Sequence, residues 1–246
     1  ACSRVILPSL ATPAECEEII ARVEMYMQPF QQHPSVSADA IPETAQNLRL
    51  SHTAAIGDLR LHLIYIRLLE RTRRAIAYEY GLELDSLSPR QTFVSRLYGC
   101  MVPEDYNHLH VDECSTSAYH YTSVLYLSER HHRGGDFVFS DPTPWGRKDT
   151  RIPTRQGQSV IFTAGWENQH FVDDLTSGVR YSIPMFFTTV QPSTHLEKPW
   201  IDGHYSELCR ARALYDMGIL PCDYSDFLNF KQRWAEFFPH GPPCRL

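Results

Sequence analysis

The amino-acid sequence predicts one α+β domain, residues 1–246, in which a β-rich core is flanked by N-terminal and C-terminal helices. Helical patterns fill the first part of the chain, and they return near its end. Between them lie short β-branched and aromatic runs separated by turn residues. Six or more strands at this spacing are typical of a sandwich, a jelly roll or a barrel. We therefore assign 1–88 to a helical N-terminal support, 89–192 to the β core and 193–246 to a helical C-terminal extension.

Composition narrows the class of protein. The 246 residues are 43% hydrophobic, which is enough to bury a sizeable core. The formal net charge of -6 argues against nucleic acid as the main partner, because phosphate binding requires a basic face. No run of 18 or more apolar residues occurs, so no membrane span is expected. The chain begins with Ala1 rather than Met, which we interpret as a trimmed or processed N-terminus. The oligomeric state is left open.

Two helices are predicted in the N-terminal support. The first covers 12–28, with Thr12 as its N-cap and acidic residues in its first turn. The second is a long amphipathic helix from about Asp58 to Tyr80, ended by Gly81. The polar residues 31–55 between them have no periodicity and predict a loop.

The predicted strands of the core follow Pro89. The turn at Gly134-Gly135 opens the run "DFVF", whereas 142–150, "PTPWGRKDT", shows no alternation and predicts a polar loop. The runs that predict strands are "TFVSRLYGCMV", "TSVLYLS", "DFVFSD", "SVIFTAG", "HFVDDL" and "VRYSIPMFFTTV". In the C-terminal extension, "LNFKQRWAEFF" is the clearest helical segment.

Seven cysteines leave the redox compartment open. No Cys-x-x-Cys pair occurs, so a structural zinc site is not expected. One interpretation is a set of disulfides that staple the ends of the chain in an oxidising compartment, and the other is buried thiols in a cytosolic protein. Five of the cysteines lie near the two ends: Cys2, Cys16, Cys209, Cys222 and Cys244.

Candidate metal ligands concentrate in 106–128, "YNHLHVDECSTSAYHYTSVLYLS". His110 and Asp112 stand two apart, so in an extended segment both point to the same side. His170 opens another predicted strand 60 residues later. Two imidazoles and one carboxylate form a facial set with open coordination positions, which suits non-haem Fe(II) and O₂ chemistry. His108 is also two residues from His110, so a three-histidine set is a rival. A His-x-Asp pair alone is usually a surface turn.

Arg180, ten residues after His170, is a candidate for binding a carboxylate near the metal. The intervening residues leave room for the chain to turn at Ser177-Gly178 and return on the neighbouring strand. Such a hairpin would bring Arg180 near the metal, where its planar guanidinium can pair bidentately with a carboxylate. The plainer interpretation of Arg180 is a salt bridge at a strand end.

From about residue 98 to 188 the chain resembles the Fe(II)- and 2-oxoglutarate-dependent dioxygenases of the prolyl hydroxylase superfamily. The pattern of that family is His-x-Asp, a distal histidine and a basic residue about ten positions later. The segments "AYHYTSVLYLSERHHRGGDFVFSD" and "FTAGWENQHFVDDLTSGVRYSIPMFFT" carry the resemblance. Within the superfamily the chain is most similar to the prolyl 3-hydroxylase (leprecan) group and to the "2-oxoglutarate and iron-dependent oxygenase domain-containing" proteins.

The resemblance implies a double-stranded β-helix (jelly-roll) core. It also implies that three residues hold Fe(II): His110, Asp112 and His170. Arg180 would pair with the distal carboxylate of 2-oxoglutarate, and Asn168 would orient the site. Three more side chains are implied at the 2-oxoglutarate position, although packing in the barrel interior would explain them equally well: Tyr98, Tyr126 and Ser182.

The implied reaction is hydroxylation of a protein or peptide residue, proline first, with O₂ as co-substrate and release of succinate and CO₂. Ascorbate is a further cofactor that the resemblance allows. A small-molecule oxygenase and a catalytically silent binding module on the same barrel are the alternatives. Trp145 and Trp166 would line a substrate groove or pack in the core. The leprecan likeness and the terminal cysteines favour the secretory pathway or ER lumen, with the cytoplasm as the alternative.

Overall fold

The structure is a computed structural model that describes residues 4–27, 46–49, 58–99, 108–115, 117–128 and 132–190. The predicted C-terminal extension, 193–246, lies outside the described residues. So does most of the predicted loop 31–55, apart from a short strand at its end.

The first predicted helix is confirmed, but it ends at Glu24 rather than at residue 28. Helix α1 spans Pro13–Glu24. The Thr12 hydroxyl accepts a hydrogen bond from the Glu15 backbone N–H at 3.2 Å, and the Glu15 carboxylate accepts one from the Thr12 N–H at 2.9 Å. This reciprocal capping box satisfies two of the four N–H groups that a helix leaves unbonded at its start.

The second predicted helix is also confirmed. Helix α2 spans Leu59–Tyr80, and the Asp58 carboxylate caps it by accepting the Leu61 N–H at 2.9 Å. Gly81 ends the helix with φ 64°, in the left-handed region where a glycine carries no steric penalty. Its N–H bonds back to the last turn.

Eleven β-strands, one short α-helix and two 3₁₀ turns complete the described residues. The helix α3 is Asp112–Ser115, and the 3₁₀ turns are Leu84–Ser86 and Trp166–Asn168. The strands are β1 Val5–Leu7, β2 Gln46–Arg49, β3 Ser88–Tyr98, β4 Tyr121–Tyr126, β5 Arg133–Gly134, β6 Phe137–Thr143, β7 Gly146–Ile152, β8 Ser159–Thr163, β9 His170–Val172, β10 Leu175–Ser177 and β11 Val179–Thr188.

Two antiparallel sheets form the double-stranded β-helix that the resemblance implies. The major sheet has the order β1-β8-β4-β11-β3-β2, and the minor sheet has the order β7-β6-β9. On the edge of β9 that does not pair with β6, His170 forms an isolated antiparallel bridge with His110. A two-stranded pair, β10-β5, stands apart from both sheets. The edge strands β1 and β2 come from outside the predicted core segment 89–192, so the N-terminal part completes the major sheet.

Two loop predictions are wrong. Residues 46–49 of the predicted loop 31–55 form β2, paired with β3. Residues 142–150 belong largely to a hairpin in which β6 and β7 pair from Phe137↔Ile152 to Thr143↔Gly146. The exposed positions of β7 give no apolar alternation, because no segment among the described residues packs over this edge strand. The sequence signal for a strand is therefore missing there.

The major sheet is covered by helices on one face and faces the minor sheet on the other. Alternation along β4 separates two apolar clusters. Leu125 packs with the apolar faces of α1 and α2, whereas Val124 and Tyr126 pack with Phe137 and Phe162 of the interior. The interior between the sheets is where the candidate site lies.

Of the two interpretations of the cysteines, Cys16 fits the buried thiol and not the stapling disulfide. Cys16 is a free thiol that is fully buried against α2, and burial raises its pKa to about 11. The other cysteines of that prediction, Cys2, Cys209, Cys222 and Cys244, lie outside the described residues. No helix in the described part of the chain is long and apolar enough to span a membrane.

Candidate metal centre

The structure brings together the predicted ligands His110, Asp112 and His170. Nε2 of His170 lies 3.6 Å from Oδ1 of Asp112, and Nε2 of His110 lies 3.9 Å from the same oxygen. All three donor atoms fall within 4.8 Å of one another. The two measured separations are shorter than two metal–ligand bonds of about 2.0–2.2 Å placed end to end. One ion can therefore bind all three side chains.

Backbone pairing places the two histidines side by side. The N–H of His110 donates to the carbonyl of His170 at 3.0 Å, and the N–H of His170 donates back at 2.9 Å. The chain stays extended only through Val111, because Asp112 is the first residue of α3. Asp112 still reaches the ion position, so the spacing of two residues works here across a strand-to-helix junction.

Two backbone carbonyls fix the orientation of the imidazoles. Nδ1 of His110 lies 2.8 Å from the carbonyl oxygen of His108, and Nδ1 of His170 lies 2.8 Å from that of Asn168. Nδ1 is therefore the protonated nitrogen, which leaves the lone pair of Nε2 for a metal. His108 takes part through its carbonyl and its side chain is exposed, so the rival three-histidine set is not assembled.

Asp112 is held as a carboxylate. Its Oδ2 accepts a hydrogen bond from the Thr122 hydroxyl at 2.6 Å, which leaves Oδ1 facing the histidines. Burial alone would raise the pKa of Asp112, but the neighbouring histidines and the hydrogen bond from Thr122 outweigh burial and hold this pKa below its usual value. Sequence reasoning missed Thr122. The available signal was its place on the same face of β4 as Val124 and Tyr126.

His170 is buried among aromatic rings, whereas His110 is partly exposed. Burial, followed by the nearby charge of His170, lowers the pKa of His110, which favours the neutral imidazole that a metal needs. Phe137 stacks on the His170 ring at a centroid distance of 4.8 Å, and Phe162 meets it edge-on at 5.0 Å. Phe139 contacts the ring from 6.3 Å. These side chains exclude water from one side of the centre.

A cationic pocket lies on the same interior face of the major sheet. Arg180 is 3% exposed, and its Nη1 donates to the Ser182 hydroxyl at 3.3 Å. Its guanidinium carbon lies 5.2 Å from the centroid of the Tyr126 ring. Ser182 pairs directly with Tyr126 across β11 and β4, so three of the predicted residues converge. We call Arg180, Ser182 and Tyr126 the cationic pocket.

The chain between His170 and Arg180 does not form the expected hairpin. β9 pairs with β6 in the minor sheet, β10 pairs with β5, and β11 lies between β3 and β4 in the major sheet. The chain thus crosses from one sheet to the other. Arg180 reaches the interior because its sheet faces that of His170, not because the two residues lie on adjacent strands.

The Tyr126 hydroxyl is a buried donor that lacks an acceptor. The hydroxyl is completely buried beside the Arg180 guanidinium, which can only donate, and no acceptor for the hydroxyl proton occurs among the described residues. Burial raises the pKa of Tyr126 to about 12 against the opposing charge of Arg180, so the hydroxyl keeps its proton at neutral pH. A buried donor without an acceptor is costly, and it indicates a position that a ligand acceptor occupies.

Tyr98 does not join this pocket. In the register of β3 with β11, Leu97 is opposite Arg180 and shares its face, whereas Tyr98 alternates to the other face. There the guanidinium of Arg96 lies 5.1 Å from the Tyr98 ring, and Arg96 is bonded to Glu24 of α1 at 2.5 Å. The structure therefore places Tyr98 on the helix side of the sheet.

Two tryptophans that the sequence leaves open between groove and core are exposed. Trp145, at the β6–β7 turn, is 96% exposed, and Trp166, four residues before His170, is 66% exposed. Leu109, next to His110, is 41% exposed. None of these side chains belongs to the core.

Comparison with known proteins identifies the domain. Residues 97–188 match the profile of the 2OG-Fe(II) oxygenase superfamily. The chain carries a 2OG-Fe(II) oxygenase domain. It is 33% identical over 142 residues to the rat "2-oxoglutarate and iron-dependent oxygenase domain-containing protein 3", a match that covers 55% of this chain and 44% of that protein. It is 27% identical over 170 residues to human "Prolyl 3-hydroxylase 3", covering 69% and 22%.

The fold of this oxygenase domain recurs in solved structures. A prolyl hydroxylase from Trichoplax adhaerens, solved with a peptide fragment of the hypoxia inducible factor oxygen degradation domain, superposes with a TM-score of 0.53. The identity is 14%, and the match covers 77% of this chain and 84% of that one. The predicted double-stranded β-helix is confirmed by this likeness. The chain spans less than half the length of the curated relatives it matches.

The residues of the oxygenase domain fit the groups that the family implies, which are Fe(II), 2-oxoglutarate and O₂. Two neutral imidazoles and one carboxylate form the donor set of non-haem iron oxygenases. The cationic pocket offers a buried guanidinium and a hydroxyl in want of an acceptor, which suits one end of a dicarboxylate.

Proposed function

We propose that this chain is an Fe(II)- and 2-oxoglutarate-dependent dioxygenase that hydroxylates a residue of a protein or peptide, with proline the first candidate. The observation that carries the proposal is the placement of the metal centre and the cationic pocket on one buried interior face. Thr122, which holds Asp112, and Tyr126 project from the same side of β4. The two positions are four residues apart, or roughly 13 Å between Cα atoms.

In this proposal His110, Asp112 and His170 hold Fe(II) at one end of that face. At the other end, Arg180 forms a charge-assisted pair with the distal carboxylate of 2-oxoglutarate, and the Tyr126 hydroxyl donates to it. When bound, the iron and 2-oxoglutarate would supply the oxidising chemistry together with O₂, of which one oxygen atom goes into succinate, formed with release of CO₂, and the other into the hydroxylated product.

The protein's own contribution is placement and exclusion of water. The carbonyls of His108 and Asn168 keep both Nε2 atoms directed inward, and Thr122 fixes which carboxylate oxygen faces the metal. The phenylalanines around His170 keep solvent from that side, so polar interactions are stronger there than in water. Replacement of His110, Asp112 or His170 should abolish turnover, because the remaining side chains would no longer hold the iron in place.

Two facts support a protein or peptide substrate. The solved Trichoplax prolyl hydroxylase of the same fold holds a peptide, and the human relative is a prolyl 3-hydroxylase by name. Exposed apolar side chains also stand in the ligand-bearing segments, at Leu109 beside His110 and at Trp166 four residues before His170. Such side chains suit a partner that lies across the protein surface. The secretory location and the use of ascorbate stay predictions.

A product assay with matched variants tests the proposal. The chain, Fe(II), 2-oxoglutarate and a library of proline-containing peptides are incubated in air, and succinate and peptide mass are followed. We expect succinate together with a gain of one oxygen atom on a peptide, and neither product with His170→Ala. Trp166→Ala should impair peptide hydroxylation and leave the succinate formed without peptide unchanged.

Other outcomes of the same assay separate the alternatives. Succinate formation that no peptide stimulates would reject the peptide substrate and favour a small-molecule oxygenase. Absence of succinate from folded, iron-loaded protein would reject the oxygenase activity and leave a silent binding module.

A further inference from the structure

Arg4 makes five directed contacts with the segments that surround the candidate metal site. Its Nε donates to Oδ1 of Asn168 at 2.7 Å. Its Nη1 and Nη2 donate to the two carboxylate oxygens of Asp141 at 3.0 and 2.5 Å. Nη2 also reaches the carbonyl oxygen of Glu167 at 3.2 Å, and the guanidinium lies 4.0 Å from the centroid of the Phe139 ring.

These contacts join three separate segments. Arg4 directly precedes β1, which runs along the edge of the major sheet beside β8. Asp141 belongs to β6 of the minor sheet, whereas Asn168 and Glu167 form the 3₁₀ turn that leads into β9. One planar fork thus connects both sheets with the turn that ends two residues before His170.

Asn168 transmits the contact to the iron ligand. Its side chain is 1% exposed and is held at both ends, because Oδ1 accepts from Arg4 while Nδ2 donates to the Thr163 carbonyl at 2.9 Å. The backbone carbonyl of this same residue accepts the proton of Nδ1 of His170. The position of the Asn168 carbonyl therefore depends on the hold that Arg4 has on the side chain.

The opposite side of His170 is tied to the same arginine. Phe139 pairs with His170 across β6 and β9, and its ring meets the imidazole edge-on. Arg4 covers that phenylalanine and anchors to Asp141, two residues further along β6. Arg4 accordingly restrains both the turn that sets the tautomer of His170 and the strand that packs against its ring.

We infer that Arg4 is a positioning residue for the iron ligand His170. It acts through Asn168 and does not touch the metal. The inference rests on the proposed iron site and adds that the segment before β1 forms part of its support. Groups that orient metal-bound histidines typically contribute about 10–100-fold to metal affinity.

The test measures Co(II) binding to the full chain from its visible absorption, beside the melting temperature of the metal-free protein. Arg4→Gln should weaken Co(II) affinity by about 10–100-fold. Arg4→Lys should weaken Co(II) affinity by nearly as much as Arg4→Gln, because one ammonium cannot hold Asn168 and Asp141 together as the planar guanidinium does.

Arg151→Gln is the matched control. Arg151 forms a two-pronged pair with Asp173 on the same minor sheet, at 2.8 and 3.3 Å, and has no contact with Asn168. Its Co(II) affinity should equal that of the wild type. A double-mutant cycle of Arg4→Gln with Asn168→Ala should be clearly non-additive in Co(II) affinity, since both changes act through one contact.

The outcomes separate the two claims. A wild-type chain that binds no Co(II) would reject the proposed metal site itself. If the wild type binds Co(II) and Arg4→Gln binds it with the same affinity, the positioning role is overturned while the metal site stands. Arg4→Lys gives the same test if Arg4→Gln fails to fold. A drop in melting temperature without loss of affinity would likewise reduce Arg4 to a structural tie, and additive effects in the cycle would exclude Asn168 as the intermediary.

Discussion

Tyr126→Phe should change the stability of the apoprotein and its affinity for 2-oxoglutarate in opposite directions. The Tyr126 hydroxyl is fully buried and has no acceptor among the described residues. Leaving such a group unsatisfied costs about 1–3 kcal/mol. Phenylalanine keeps the ring and removes the cost, so the free energy of unfolding should rise by about 1 kcal/mol or more. For a domain of this size that corresponds to a melting temperature about 2–4 °C higher.

The affinity for 2-oxoglutarate should fall in the same variant. A hydrogen bond to a charged group contributes about 1.5–3 kcal/mol. Its loss from the complex corresponds to an affinity roughly 10–100-fold weaker. The assay is thermal melting of the metal-free protein, followed by anaerobic titration of the Fe(II)-loaded protein with 2-oxoglutarate. Both measurements use the same preparation.

Tyr98→Phe provides the matched control, because Tyr98 stands on the helix side of the major sheet beside Arg96. Its 2-oxoglutarate affinity should equal that of the wild type. Two results would refute the reasoning: an unaltered 2-oxoglutarate affinity in Tyr126→Phe, or a loss in Tyr98→Phe as large as in Tyr126→Phe. A less stable Tyr126→Phe apoprotein would show that the hydroxyl is already satisfied.

Three further changes give distinct readouts. Thr122→Val removes the donor to Asp112 and should weaken Fe(II) affinity by about 10–100-fold, measured by competition with a chelator; an unchanged affinity would contradict the assignment. Asp58→Ala removes the cap of α2 and should destabilise the protein by about 1 kcal/mol at pH 7 in denaturant unfolding, more than Asp58→Asn, which keeps a capping acceptor. Burial raises the pKa of Asp58, but the Leu61 N–H and Arg22 lower it below its usual value, so its charge stabilises the fold above about pH 3.9 and this contribution is lost as the pH falls through the lowered pKa. Gly157→Ala should destabilise by more than about 1 kcal/mol, because φ is 77° and the new methyl would meet a backbone carbonyl; an unaltered melting temperature would exclude that clash.

Local signals in the sequence were sufficient for α1, α2 and most interior strands. The caps of α1 and α2 are side-chain chemistry within four residues, which one segment of sequence contains completely. The hairpin of β6 and β7 escaped prediction because its outer strand is exposed at nearly every position and shows no alternation. The strand β2 escaped for a related reason, since it is four residues long and depends on pairing with β3.

The grouping of His110, Asp112 and His170 could be predicted because His-x-Asp and a distal histidine are a spacing pattern. The supporting residues could not, since they depend on contacts between distant segments. Arg4 meets Asn168 across 164 positions of the chain, and nothing around either residue in the sequence indicates that pairing. Tyr98 shows the opposite failure, in which a motif position suggests the site but the register of β3 with β11 directs the side chain to the other face.

The most direct measurement is anaerobic titration of the Fe(II)-loaded chain with 2-oxoglutarate, followed by the visible charge-transfer absorption of the complex and by succinate once O₂ is admitted. The assignment of His110, Asp112 and His170 to the iron and of Arg180 to 2-oxoglutarate predicts a saturable band and succinate. Both should be lost in His110→Ala and His170→Ala, and the band should require roughly 10–100-fold more 2-oxoglutarate in Arg180→Ala. Folded, iron-loaded protein that shows neither band nor succinate, or an Arg180→Ala variant that saturates at the wild-type concentration, would contradict it.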